Sequence, residues 1–470
     1  MLHNLRKPIA AFLLLVLGAE PALAFCGFYV SKADGTLKNK TSQVILVHDG
    51  DRNVITMYND FKGNTRDFAM VVPVPVVLRK DDIRVIEPAV FSTLNDYSKP
   101  RLVEYYDGNP CARVMYDVAL EKREVPQPMS TTAAKDLGVR IEAKYLVGEY
   151  DILILSAKQS SGLRTWLTQN GYHIPAGADE VLEPYIRSNL KFFVVKVNEA
   201  EKEKLAGNFL RPIQISFRSP KFMLPIRLGM ANGDGDQDLL VYAFTRRGRV
   251  ECTNYRTVAM PTGQELPLFV QKDFGRFYGN TFTHTWQREG QAVSLLEYAW
   301  DVSPHNYVKC DPCVAEAPSA QDLVQAGVWW LNENGSADNV FFTRLHYRYN
   351  RRAFPQDLVF QETPNTAAYQ ARYVITHPAS GERDCPEWKA YRNKLRERRQ
   401  RELRNLHALS GESYKAWARA DLPETGIDRS CSYAQVDRLP PDGDPGREWW
   451  LLGGLCVGAI LTAWGTRREV

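Results

Sequence analysis

Gln43-Val44-Ile45-Leu46-Val47-His48, then Asp49-Gly50-Asp51-Arg52, then Asn53-Val54-Ile55-Thr56-Met57-Tyr58 is the stretch on which the fold class turns. Two runs rich in β-branched residues flank an Asp-Gly turn, the strongest short-range signal for a β-hairpin. The pattern carries outward in both directions. Residues 68–77 continue it, with Pro73 and Pro75 confining the end of that strand to an edge or a sheet exit. Further strands are expected at 102–106, 139–147, 150–155, 191–197, 213–217, 223–228, 239–246, 293–300, 340–349, 358–361 and 371–376. Short helices are expected at 162–170, stopped by Gly171, and at 179–189, where Val181, Leu182, Tyr185 and Ile186 share a side. Residues 274–287 read as an amphipathic helix, and 111–135, with Pro126 and Pro128 and no periodicity, as a long loop.

Composition agrees with a folded, strand-rich chain. Of 470 residues 44% are hydrophobic and 11% aromatic, with 27 prolines, which favours strands and turns around large buried rings over a helical bundle. Lys plus Arg number 59 against 55 Asp plus Glu, and a net charge of +4 on so long a chain gives no reason to expect nucleic acid as a partner.

The two ends point to the membrane. His3, Arg6 and Lys7 precede a short apolar run at 9–18, broken by Glu20 and Pro21 and followed by Ala22-Leu23-Ala24, the small-residue pattern of a signal-peptide cleavage site. That run is too short to span a bilayer core, which needs about 20 apolar residues. Near the other end an apolar segment at 449–464 carries tryptophans at both edges and is followed by Arg467 and Arg468. This order predicts a single helix crossing the membrane, with the tail cytoplasmic and everything before it on the periplasmic side. A sorting signal cleaved after export is the alternative, but no sorting motif precedes the helix. Gly454 and Gly458 could pack two copies as a homodimer.

The fold class is therefore α+β: a β-rich ectodomain of antiparallel and mixed sheets with a few helices, a C-terminal helical segment and one C-terminal transmembrane helix. The expected division is a signal peptide at 1–24, a first β-rich region at 25–220, and a second at 221–380 containing a Cys-x-x-Cys loop. A basic helical segment at 381–422, a linker at 423–447, a transmembrane helix at 448–466 and a cytoplasmic tail at 467–470 follow. The helical segment opens with Pro386 and runs to about residue 422. It carries Lys389, Arg392, Lys394, Arg396, Arg398, Arg399, Arg401 and Arg404. It reads first as a solvated helix packing through Trp388, Tyr391, Leu395 and Leu406, and second as a face for an anionic lipid or envelope polymer.

Seven cysteines precede the anchor: Cys26, Cys111, Cys252, Cys310, Cys313, Cys385 and Cys431. Export would place them where disulfides persist, and an odd number leaves at least one unpaired within the chain. Cys310-Asp311-Pro312-Cys313 has the spacing of a thiol oxidoreductase, but the next helix starts near Ser319, too far on to stabilise the first thiolate. A structural disulfide is the leading reading, redox activity the second, and a zinc site with His305 the third. The guessed pairings elsewhere are Cys26 with Cys111 and Cys385 with Cys431. Residues 232–238 alternate carboxylates as a calcium loop does, but Leu239 and Arg246 stand where that loop needs glycine and glutamate, so a polar turn is expected. His48, His173, His284, His305, His346 and His377 are isolated and read as surface or satisfied buried imidazoles. Hydrolase and phosphate-loop motifs are absent, and no cofactor is expected.

The chain resembles the bacterial exported family called domain of unknown function 2330. The likeness rests on Phe25-Cys26-Gly27-Phe28-Tyr29-Val30, Phe68-Ala69-Met70-Val71-Val72-Pro73-Val74-Pro75 and Leu224-Pro225-Ile226-Arg227-Leu228-Gly229. It continues through Gly248-Arg249-Val250-Glu251, Asn254-Tyr255-Arg256-Thr257, the Cys310–Cys313 motif and Thr343-Arg344-Leu345-His346. It implies an envelope location and a β-rich ectodomain over about residues 25–380, and it transfers no activity. The first expectation is thus a non-enzymatic membrane-anchored binding module for an envelope protein or polymer. The alternative is a thiol-disulfide oxidoreductase acting through Cys310 and Cys313.

Overall fold

The computed structural model describes residues 28–31, 38–62, 68–111, 143–156, 178–205, 210–231, 235–331, 339–381 and 383–413. The expected signal peptide, the helix at 162–170, most of the loop after Cys111, the linker and the membrane segment with Gly454 and Gly458 lie outside them. Among the described residues no helix is long and apolar enough to cross a membrane.

The hairpin forms where its turn predicts. β2 (Lys38–Asp49) and β3 (Arg52–Lys62) pair antiparallel with Asp49 opposite Arg52, and Gly50 supplies the positive φ of 65° that the turn requires. They sit in the middle of a nine-stranded mixed sheet. Its order is β14 (Arg256–Ala259), β16 (Val293–Asp301), β17 (Phe341–Tyr349), β12 (Gln237–Thr245), β2, β3, β10 (Ile213–Arg218) and β5 (Ile83–Val85), with β19 (Tyr369–Gln370) pairing off β16. A second, antiparallel sheet runs β1 (Phe28–Ser31), β4 (Phe68–Val74), β9 (Lys191–Val197), β8 (Tyr150–Ser156) and β7 (Ala143–Val147). Two three-stranded sheets complete the strands among the described residues: β11 (Met223–Leu224), β18 (Leu358–Glu362) and β13 (Val250–Cys252), and β15 (Gln264–Glu265), β20 (Arg372–His377) and β6 (Arg101–Tyr106).

The run Val44–Val47 is apolar throughout because both faces of the large sheet are covered. Val44 and Leu46 join Met70, Val72, Ile152 and Val195 of the second sheet in a sandwich core. Ile45 and Val47 face the other way, against Phe91 and Leu94 of α1 (Ala89–Ser98) and Leu323 of α5 (Ala320–Ala326). The remaining helices are α2 (Ala178–Arg187), which packs Leu182, Tyr185 and Ile186 on the outer face of the second sheet, the single turn α3 (Glu199–Lys202), α4 (Phe274–Arg288) and α6 (Pro386–Ser410).

The boundary expected at 220/221 does not divide this architecture. β12 runs parallel to β2, from Leu239 opposite Ser42 to Phe244 opposite Val47, so strands from both regions share the central sheet. β6 likewise pairs parallel with β20, placing Leu102 beside Tyr373. Pairings this distant in sequence leave no local compositional trace. The basic helix is also shorter than expected. It stops at Ser410 because Gly411 adopts the left-handed conformation, φ 69°, and its amide caps His407 O. The strand expected at 223–228 covers only Met223–Leu224, since Pro225 interrupts it and the amides of Ile226 and Arg227 turn to the Asp357 carboxylate.

Candidate functional site at the Cys310–Cys313 loop

The Cys310–Cys313 loop connects the end of β16 to α5, whose Ser319 N-cap and Asp322 form a capping box. The two cysteines are bridged, with Cα atoms 5.1 Å apart. Cys310 is buried, 7% exposed, in the cluster of Tyr97, Tyr298, Leu323 and Val328, whereas Cys313 is exposed. Five residues, Val314 to Pro318, separate Cys313 from the Ser319 N-cap in sequence.

The loop backbone is held by side chains from five elements, α1, β6, β16, β19 and β20. Lys309 O accepts from both Tyr97 Oη and Tyr298 Oη, each at 2.7 Å, and Pro312 O accepts from Arg101 Nη1 at 2.8 Å. Asp311 O accepts from Gln370 Nε2 (3.0 Å) and Arg372 Nη1 (3.2 Å), and Arg372 also pairs with the Asp311 carboxylate at 3.1 Å. Burial pushes the Tyr97 phenol up to about 12 and Tyr298 well above its ordinary value, so both remain donors at any physiological pH. The tip stands out from this base. Tyr307 is 99% exposed, Val308 65% and Val314 54%, while Trp300 Nε1 holds Val308 O at 2.7 Å.

Beneath the loop lies a cluster that sequence reading missed. Register between β16 and β17 shifts between Leu296 and Tyr298, which leaves Glu297 as the extra residue of a β-bulge. Its carboxylate has no solvent exposure. It accepts from Arg344 Nε at 2.5 Å, from His346 Nδ1 at 2.8 Å and from the Tyr278 hydroxyl of α4. Burial alone would raise its pKa, but the Arg344 charge, His346 and the Tyr278 hydrogen bond together hold it at about 2. Arg344 Nη1 also donates to Asn95 Oδ1 of α1 at 2.9 Å. The histidine and carboxylate have the composition of an acid–base pair, but Glu297 has no solvent exposure and Arg344 is only 5% exposed. The cluster therefore ties β16, β17, α1 and α4 together. The bulge depends on pairing between distant strands, so no sequence signal points to Glu297.

The remaining cysteines correct the guessed pairings. Cys111 is bonded to Cys385, the residue before α6, with Cα atoms 5.6 Å apart and 274 positions between them in sequence, so neither Cys26–Cys111 nor Cys385–Cys431 forms. Cys26 and Cys431 lie outside the described residues. Cys252 is buried and unbridged, its thiol pushed up by burial. Four of the singled-out histidines have side-chain partners, His48 in Asn53, His284 in Leu409 O, His346 in Glu297 and His377 in Glu104, while His173 lies outside the described residues. Among the described residues no three His, Cys, Asp or Glu side chains come together to hold a metal, His305 included. Asp236 and Asp238 of the acidic turn bond Asn350 and Arg348.

On α6, Leu395 and Leu406 are buried as expected, and the Trp388 ring packs on Tyr391 at a 45° tilt with centres 5.2 Å apart. Three of its eight basic residues are spent internally: Arg398 on Asp107, Arg399 on Glu402 and Arg401 on Glu265.

No curated protein and no solved structure matches the chain. The strands and the cysteine loop that carry the resemblance fall inside one matched span, residues 20–361, and on that match the chain belongs to the bacterial family described as uncharacterized protein conserved in bacteria (DUF2330).

Proposed function

We propose that this protein is an exported, membrane-anchored module of the bacterial cell envelope that binds another protein through residues 304–314, and that Cys310 and Cys313 serve as a clasp. The observation that carries the reading is the contrast within the loop. Its carbonyls are fastened by buried Tyr97, Tyr298 and Arg101, while Tyr307, Val308 and Val314 face solvent. Large apolar side chains held open on a rigid base lose little freedom on docking, which is what a recognition tip requires.

Export and anchoring rest on the apolar stretches at 9–18 and 449–464. With the anchor in place, α6 is the last described element before the membrane, and its exposed Lys389, Arg392, Arg396 and Arg404 complement anionic headgroups. An oxidoreductase reading is less well supported. The first cysteine, which would have to attack, is the buried one.

A photoreactive aromatic residue in place of Tyr307 of the full-length chain, irradiated in intact cells, tests the reading. A discrete protein adduct that disappears in the Cys310→Ser/Cys313→Ser variant is expected. Irradiation yielding no discrete adduct from correctly localised protein, or turnover of insulin disulfides by the purified chain, would contradict it.

A further inference from the structure

The helix-covered face of the central sheet carries a second feature, independent of the loop's role. Register sets Arg84, Gln214 and Thr56 side by side across β5, β10 and β3, and Val54 beside Ser216 one pleat further along. α5 closes onto this face through Gly327, whose φ is 103° and where a Cβ would stand 2.8 Å from Val54 Cγ1. Beside that contact lies a cleft of about 340 Å³, floored by Val54, Gln214 and Ser216 and walled by Val328 and Trp329.

The polar groups of the cleft are positioned but not all used. Gln214 is fixed by donating to Thr56 Oγ1 at 2.7 Å and to Gln325 O at 3.0 Å, and its Oε1 accepts from Arg84 Nε at 2.5 Å. Arg84 is thereby oriented, with no acceptor for its Nη atoms among the described residues. The Arg52 guanidinium lies 4.4 Å from the centre of the Trp329 ring. Neither arginine forms an ion pair among the described residues, although both line the same cleft. Of the two carboxylates that also line the cleft, Asp82 has both oxygens engaged by Arg79, and Asp81 is exposed.

We propose that this cleft binds one oxyanion group, a carboxylate or a phosphomonoester on a small molecule, between the guanidinium groups of Arg52 and Arg84. Both guanidinium groups line one cleft and neither is ion-paired among the described residues, and burial first and Arg52 second push the Arg84 guanidinium below its ordinary value. An anion relieves that repulsion and takes charge-assisted bonds from the Nη atoms. Ser216 adds a hydroxyl on the floor. Asp81 and Asp82, which line the same cleft, repel a polyanion, and the volume sits at the small end of ligand cavities.

Trp329 supplies the readout. Purified full-length chain is titrated with acetate and, separately, with inorganic phosphate at constant ionic strength, following tryptophan fluorescence. A saturable change with a midpoint below about 10 mM is expected for at least one anion. The anion that gives the lower midpoint identifies the group, and equal midpoints assign recognition to charge and shape shared by both. Arg84→Gln and Arg52→Gln are each expected to weaken the midpoint about tenfold or more, and Trp329→Phe to remove the signal. Arg218→Gln, which loses only its exposed pair with Asp51, leaves the midpoint unchanged. Absence of saturation with either anion, an unchanged midpoint in Arg84→Gln, or a signal that persists in Trp329→Phe would overturn the assignment.

Discussion

Replacing Glu297 by Gln removes the only carboxylate that Arg344 pairs with among the described residues and keeps the side-chain volume. The magnitude follows from linkage. The folded pKa of about 2 lies below the ordinary 4.5, so ionised Glu297 stabilises the fold. That contribution is complete above about pH 4.5 and is lost as the pH falls toward 2. At 1.36 kcal/mol per unit the difference is about 3 kcal/mol. The variant also strands a buried guanidinium, and breaking such a pair costs about 3–5 kcal/mol. Urea unfolding of the full-length chain at pH 7, followed by tryptophan fluorescence, is expected to show a loss of about 3–5 kcal/mol. The wild type is expected to lose most of this advantage over the variant by pH 2–3. A loss under about 1 kcal/mol at pH 7, or the same difference at both pH values, would refute the assignment of Glu297 as an ionised tie between β16, β17, α1 and α4.

The chain-entropy relation assigns about 6 kcal/mol to a bridge spanning 274 positions and about 2 kcal/mol to one spanning three. Cys111→Ser/Cys385→Ser is therefore expected to lower the urea midpoint markedly more than Cys310→Ser/Cys313→Ser. Gly327→Ala should cost about 1–2 kcal/mol for its left-handed backbone, and more as the new methyl displaces Val54, read as a lower melting temperature. Tyr307→Ser, at a fully exposed tip, should change stability by less than about 0.5 kcal/mol while weakening capture of the loop's partner.

What was legible in the sequence was local. The 43–58 hairpin, the amphipathic helix before Arg288 and the Ser319 helix start were each written in a few adjacent residues. α1 was equally local and was missed, although Val90, Phe91, Leu94 and Tyr97 follow Pro88 at helical spacing and all are buried. Gly411, which ends α6, was also in plain view. The features that place the site were not local. The parallel pairing of β12 with β2 joins strands about 200 positions apart and defeats any division at residue 220. The same holds for Cys111 meeting Cys385, and for the bulge that turns Glu297 inward.

The account stands most directly on the state of the Cys310–Cys313 bridge. Reduction would leave Cys310 as a buried thiol in the apolar cluster of Tyr97, Tyr298, Leu323 and Val328. Equilibration of the full-length chain against glutathione redox buffers, read by thiol alkylation of the tryptic peptide containing both cysteines, gives the potential. A value below about −300 mV is expected of a clasp, and a value between about −120 and −200 mV would mark a catalytic pair and contradict the account.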